Sequence, residues 1–302
     1  MKVKYSKGPY ITFKLGTNWE RGCDMEVRIS YLNHINRRYE KAFDVDETFI
    51  DLSGLGISKI NLAQLNRFSD IRKIDLSENY ITEIDLGPLV RADHLEELNL
   101  GMNQLTNVFL APLGRCDNLR ILDLHNNALD SIYLSPLAMC TALRDLRLHR
   151  NLIEEINIAP LAHCKSLEYL RLDRNPFIEI DLNPLSKLKN LRELFLEYCP
   201  ILLLELDPIA ECESLEGLWL RKLRVWDFEL NPLQHCKNLK WLDLSENKVP
   251  FIEVTALFHC PKLQRIVIDV SNIPTASTKV RSIKAPPGLD KIRDRIYWKD
   301  FT

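Results

Sequence analysis

The sequence lacks most of the features that would point to chemistry. Its eight cysteines include no Cys-x-x-Cys pair and its seven histidines show no metal-ligand spacing, so no metal site is expected. Neither a GxGxxG nor a GxxxxGK(S/T) loop is present to cradle phosphate. No serine or cysteine nucleophile falls beside His125 or His149, so the chain is expected not to be an enzyme and to need no cofactor. A run of 18 apolar residues is missing, which excludes a membrane-spanning helix. The opening MKVKYSKGPYITFKLGTNW carries lysines, but Lys14 interrupts its apolar stretch and no signal-type core follows, so a cytoplasmic protein is expected. Charge of one sign is lacking too: the net charge is -2. Residues 1–46 hold nine Lys/Arg against six Asp/Glu, residues 271–302 seven against three, and the stretch between 24 against 33. Mildly basic ends flank an acidic body, too weakly to name a partner.

What the chain does have is a repeat. The frame L-x-x-L-x-L-x-x-N-x-L-x-x-I-x-L-x-P-L-x-x-C returns every 24 residues without insertion or deletion, in units that begin near residues 47, 71, 95, 119, 143, 167, 191, 215, 239 and 263. One unit is Leu119, Leu122, Leu124, Asn127, Leu129, Ile132, Leu134, Pro136, Leu137 and Cys140. The L-x-L alternation predicts a short strand with leucines on one face, and P-L-x-x-C predicts a turn toward the next unit. No unit can bury its apolar face alone, so ten stacked coils must share one columnar core. Six cysteines share one frame position with Ala92 and Leu188, which reads as a small apolar pocket holding unpaired thiols.

This pattern resembles the leucine-rich-repeat family, in the 24-residue form closer to intracellular and microbial variants, over roughly residues 47–270. The resemblance implies an α/β-type repeat solenoid, a horseshoe with a parallel β-sheet on its concave side and asparagines bonded to the backbone of adjacent coils. Residues 1–46 are expected to form an N-terminal cap or small module, and residues 271–302 a C-terminal cap. Cys199 and Leu223 fill the asparagine position of their coils, so altered corners are expected at 198–203 and 222–227.

Side chains outside the core need not obey the repeat, and this is where partners should be sought. Early coils present small polar groups there, such as Asp75 and Ser77. Carboxylates such as Asp75, Asp123 and Asp243 read as a solvated sheet face. Coils five to nine present Arg147, His149, Arg150, Tyr169, Arg171, Asp173, Arg174, Phe195, Glu197, Tyr198, Trp219, Arg221 and Trp241. Arginine and large aromatics are the side chains most enriched at interface hot spots. Just past the asparagine corner, polar residues give way to Ile178, Leu202, Leu203, Trp226 and Phe251, an apolar edge beside the same patch. Cross-strand pairs Arg147–Asp173, Arg171–Asp145 and Arg174–Glu197 would make the patch merely structural. The tail groups Ile296, Tyr297, Trp298 and Phe301 would do the same if they covered the edge. The leading expectation is a non-catalytic protein-binding scaffold or adaptor. The alternatives are nucleic-acid or anionic-ligand binding on the same face, or a regulatory or adaptor subunit of an enzyme. Acidic side chains within the patch argue against nucleic acid.

Overall fold

The computed structural model describes residues 26–300. Ten strands of three residues each, from Phe49–Asp51 through Lys73–Asp75 to Arg265–Val267, form one parallel sheet in strict chain order. Register is preserved throughout, so that Leu122, Leu146 and Leu170 face one another across neighbouring strands. Period-two alternation sends these leucines inward, where they are fully buried, and sends the residues on either side to the sheet's outer face.

Each coil returns on the far side through a single short 3-10 helix, for example Ser135–Met139 or Ala159–His163. The proline of the P-L-x-x-C half lies in the first turn of these helices, where a missing N–H costs nothing. The cysteine that follows does more than fill a pocket. Its Sγ donates to a carbonyl of the preceding coil, as Cys140 does to Leu113 at 3.3 Å and Cys164 to Leu137 at 3.2 Å. Burial pushes these thiols up, Cys140 to about 12, so they stay protonated donors at neutral pH.

The asparagine ladder closes the other corner. Asn103 Nδ2 donates to Leu76 O and Leu100 O, while its Oδ1 accepts from Ile81 N at 3.0 Å, tying three segments together. The residue just before each asparagine position is left-handed, with φ between 52° and 59° from Asn126 to Tyr198, a conformation costing about 1 kcal/mol for a non-glycine residue. Tyr198 (φ 59°) and Lys222 (φ 56°) keep this left-handed turn, and the hydrogen bonding beyond it is altered. Cys199 Sγ reaches Leu172 O at 3.4 Å, and Ile201 N turns back to Cys199 O at 2.8 Å. In the next coil Asn247 Oδ1 accepts from Leu223 N at 2.9 Å instead of from the residue two positions later.

A second ladder follows the outer ridge just before each strand. Arg72, Glu96 and Arg120, then Arg144, Glu168, Arg192, Glu216 and Lys240, alternate across coils, as in Arg120–Glu96 at 2.9 Å and Arg192–Glu216 at 2.6 Å. Exposed pairs of this kind contribute only a few tenths of a kcal/mol each.

Both ends of the core are covered. The hairpin of Glu26–Asn33 with Arg38–Asp44 buries Val27 and Ile29 against the first coil, and Phe43 meets Phe68 edge-on at 6.3 Å. At the other end Ile273–Ser277 pairs in parallel with Phe251–Glu253 and with Tyr297–Lys299. The short helix Pro287–Asp290 sits on the last strand, with Gly288 N donating to Leu263 O at 2.8 Å. A Cβ at Gly288 would come within 3.0 Å of Arg265 N, so this approach requires glycine. Ile296 is buried and Trp298 packs on Phe258 at 5.8 Å, so these tail groups close the core end. Phe301 lies outside the described residues.

Candidate functional site

The sheet face of coils one to four and of coil nine is shaped by a local cap. Asp75 Oδ1 accepts from both the backbone N–H and the hydroxyl of Ser77, at 2.9 and 2.5 Å. Asp51 with Ser53 and Asp243 with Ser245 repeat the arrangement, and Asn99 with Gly101 and Asp123 with His125 repeat its backbone bond. This is an Asx turn that ends the strand. These carboxylates are therefore not the solvated face suggested by the sequence; Asp123 is only 3% exposed. In coils five to eight the same position holds Arg147, Arg171, Phe195 and Trp219.

Those four side chains lie along the sheet in contact with their neighbours. Arg147 bonds Asp145 through Nε and Nη2, at 2.9 and 2.6 Å, and Asp123 through Nη1 at 3.1 Å. The guanidinium of Arg171 lies 4.3 Å from the centre of the Phe195 ring. Phe195 in turn stacks on Trp219 at 5.6 Å with 4° between planes. Gly217 makes room for that indole, since a Cβ there would meet Trp219 Nε1 at 3.0 Å. The charge pairs that form thus differ from the cross-strand set suggested by the sequence: Arg147 turns to Asp123 and Asp145, and Arg171 lies on an aromatic ring. Phe195 is 9% exposed and supports its neighbours, so it offers little surface as a free anchor.

A second row runs along the rim, at the left-handed corners. Arg150, Arg174 and Lys222 are exposed, and Tyr198 is half-buried between them. Arg174 lies 4.0 Å and Lys222 5.2 Å from the Tyr198 ring centre, and Arg174 comes within 4.0 Å of Asp173. Arg221 binds Glu246, whose other oxygen is 3.7 Å from Lys222. Tyr169 and Trp241 are half-buried at the margin of the patch, Trp241 with Lys240 5.5 Å from its ring. Burial pushes Asp173 and Glu197 up from the ordinary carboxylate range, despite the arginines around them.

The apolar edge is open. Leu203 is 72% and Trp226 76% exposed, and Ile178 and Leu202 are exposed as well. Among the described residues the tail meets this edge at Phe251, where Lys299 Nζ lies 5.4 Å from the ring, and Phe251 remains exposed. Edge and rim meet between coils seven and nine in a pocket of about 500 Å³ walled by Tyr198, Pro200, Leu202, Leu223 and Trp226. The repeat pattern places the edge beside the patch, but the pairing of Tyr198 with Trp226, residues of different coils at different repeat positions, comes from the fold.

His149 stacks on His125 at 4.8 Å, and His125 Nδ1 is 2.6 Å from Asp123 Oδ1. Burial, reinforced by the adjacent His125, pushes His149 down to about 4. A neutral buried histidine stabilises the fold fully above its unfolded value near 6.5 and loses that contribution as pH falls toward 4. Raised Asp173 and Glu197 act in the opposite sense, so the histidine must be isolated by difference. Between pH 7 and 4.5 the wild type should lose about 1–2 kcal/mol relative to His149→Phe, the value discounted for partial exposure. Urea midpoints at the two pH values measure it, and parallel behaviour of the two proteins would refute the assignment.

Against known families, a model described as leucine rich repeat matches residues 69–129 and 141–201. Residues 69–129 and 141–201 are leucine-rich repeats. Comparison with curated proteins gives no match. Among solved structures, the protein is similar to a leucine-rich-repeat protein of Leptospira interrogans, with 20% identity and a TM-score of 0.59, covering 78% of this chain and 68% of that one. It is also similar to an internalin of Listeria monocytogenes, with 20% identity and a TM-score of 0.52, covering 79% and 78%. At such identity the likeness is one of fold. Leucine-rich-repeat proteins commonly act as protein-interaction scaffolds and are typically non-catalytic. Among the described residues no group of His, Cys, Asp and Glu could hold a metal ion, and no helix is long and apolar enough to cross a membrane.

Proposed function

We propose that this protein is a non-catalytic scaffold or adaptor that binds another protein through the sheet face and adjoining edge of coils five to nine. One observation carries the reading. Coils five to eight hold no Asx cap at the strand end and carry Arg147, Arg171, Phe195 and Trp219 in its place, although coils on both sides retain the cap. The cap stabilises the turn locally, so its replacement in four consecutive coils points to a requirement outside the fold. In this reading residues 47–270 are the binding unit, residues 1–46 an N-terminal cap and residues 271–302 a C-terminal cap. A cytoplasmic setting belongs to the same proposal, supported by core thiols that act as hydrogen-bond donors and so favour a reducing compartment.

A photoreactive residue replacing Tyr198 is expected to capture a partner in native lysate that the same probe at Ser77 does not. The capture should vanish with Arg150→Glu combined with Arg174→Glu. Both arginines are exposed, so the thermal midpoint of that variant should stay where it is. Equal capture at both probes, or capture indifferent to the charge reversal, would sink the reading. Capture of RNA or DNA with steep salt dependence would transfer the surface to nucleic acid.

A further inference from the structure

We infer that the pocket between coils seven and nine is the seat for a short acidic peptide segment bearing one bulky apolar side chain; this rests on the protein-binding reading and narrows it.

Three features of the pocket lead there. Its walls are apolar: the Tyr198 ring, Pro200, Leu202, Leu223 and the Trp226 indole enclose about 500 Å³ that is open to solvent. That is the size range of sites that bury a large side chain together with part of its backbone. Leaving Trp226 and Leu202 this exposed forgoes apolar burial, which an apolar ligand group would recover.

The rim is cationic. Lys222, Arg224 and Lys248 border the opening together with a single carboxylate, Glu246. Glu246 is already held by Arg221 and Lys222, whereas among the described residues neither Arg224 nor Lys248 has a carboxylate within ion-pair distance. This local excess of positive charge lies on an acidic body, in which residues 47–270 carry 24 Lys/Arg against 33 Asp/Glu. A basic or nucleic-acid ligand fits it poorly: the first is repelled at the rim, and the second by the surrounding carboxylates. An acidic peptide is attracted to the rim and offered an apolar anchor site beyond it.

The pocket also coincides with the interruption of the asparagine ladder. Leu223 replaces an asparagine whose amide would donate to neighbouring carbonyls, and its side chain forms the pocket floor instead. Cys199 in the preceding coil makes the adjacent substitution, and Ile201 N is satisfied locally by Cys199 O. Of the two substitutions that weaken the ladder, Leu223 thus lines the pocket itself, while the Tyr198 wall is braced by Arg174 at 4.0 Å.

Panning a phage-displayed random dodecapeptide library on the full chain, with counter-selection on Trp226→Ala, tests the assignment. The expected enrichment is an aromatic or large aliphatic residue flanked by Asp or Glu. A synthetic peptide of that consensus, read by fluorescence anisotropy, should lose at least tenfold in affinity with Trp226→Ala and with Arg224→Glu combined with Lys248→Glu. Replacing its acidic flanks with lysine should have the same effect. Each altered side chain is exposed, so unchanged thermal midpoints will separate loss of binding from loss of fold. Enrichment of basic peptides, absence of enrichment, or variants that keep full affinity would overturn the inference. Concentration-dependent self-association abolished by Trp226→Ala would assign the pocket to a second copy and overturn it too. If the probe at position 198 still captures a protein, and Arg150→Glu with Arg174→Glu still abolishes that capture, the scaffold reading survives the failure of this one.

Discussion

Replacing Asn151 by leucine should lower the free energy of unfolding by about 3 kcal/mol, the largest loss expected from any single polar substitution in the repeat. Asn151 is buried, donates from Nδ2 to Leu124 O and Leu148 O at 3.0 Å each, and accepts from Leu129 N at 3.2 Å. Leucine is of similar size but orphans Leu129 N, at about 1–3 kcal/mol. It also removes one of the two amide donors from each of Leu124 O and Leu148 O, which keep Asn127 and Asn175, at about 0.5–1.5 kcal/mol per lost bond. Partial local repair, of the kind seen where Ile201 N turns to Cys199 O, keeps the total toward the lower end. The converse change, Leu223→Asn, should gain far less, because the groups around it already have other partners. Urea denaturation measures both. A cost below about 1 kcal/mol for Asn151→Leu would mean that the ladder contributes little to cohesion between coils.

Trp219→Asp combined with Arg221→Ser should abolish partner binding while leaving stability within about 1 kcal/mol of the wild type. The pair rebuilds in coil eight the Asp-x-Ser cap that Asp243 and Ser245 form in coil nine, with hydrogen bonds of 2.9 and 2.5 Å. Its stabilisation, about 1 kcal/mol, offsets the loss of the stack between Trp219 and Phe195, itself worth about 0.5–1.5 kcal/mol. Binding has no such compensation: a tryptophan at the centre of an interface typically accounts for about 2–4 kcal/mol, or a 30- to 1000-fold loss of affinity. Calorimetric titration with the captured partner, alongside the thermal midpoint, separates the two quantities. Retained affinity in the double variant would show that the sheet face is not the contact surface.

Much of this molecule could be read from a single unit of its repeat. The L-x-L alternation specified a three-residue strand, the asparagine position a ladder, and the uninterrupted 24-residue spacing a core shared by all coils, as found from Phe49–Asp51 to Arg265–Val267. The candidate site was legible only as a list of residues released from the core. Asp123 read as a solvated carboxylate because its hydrogen bonds to His125 and Arg147 depend on the strand end and the next coil. Phe195 read as an anchor because nothing in its own unit reveals Arg171 on one side of the ring and Trp219 on the other. Ile296 and Trp298 matched the exposed edge in chemistry, yet they close the end of the core, where apolar surface would otherwise face water.

The sequence by itself determined the periodic architecture and which side chains the interior does not need, because burial in a stacked coil obeys a rule that repeats every 24 residues. Tertiary structure alone decided which of those side chains hold one another and which stay available. Contacts such as Arg171 on Phe195 and Phe195 on Trp219 join residues one coil apart, and each depends on two positions that the repeat leaves free to vary independently.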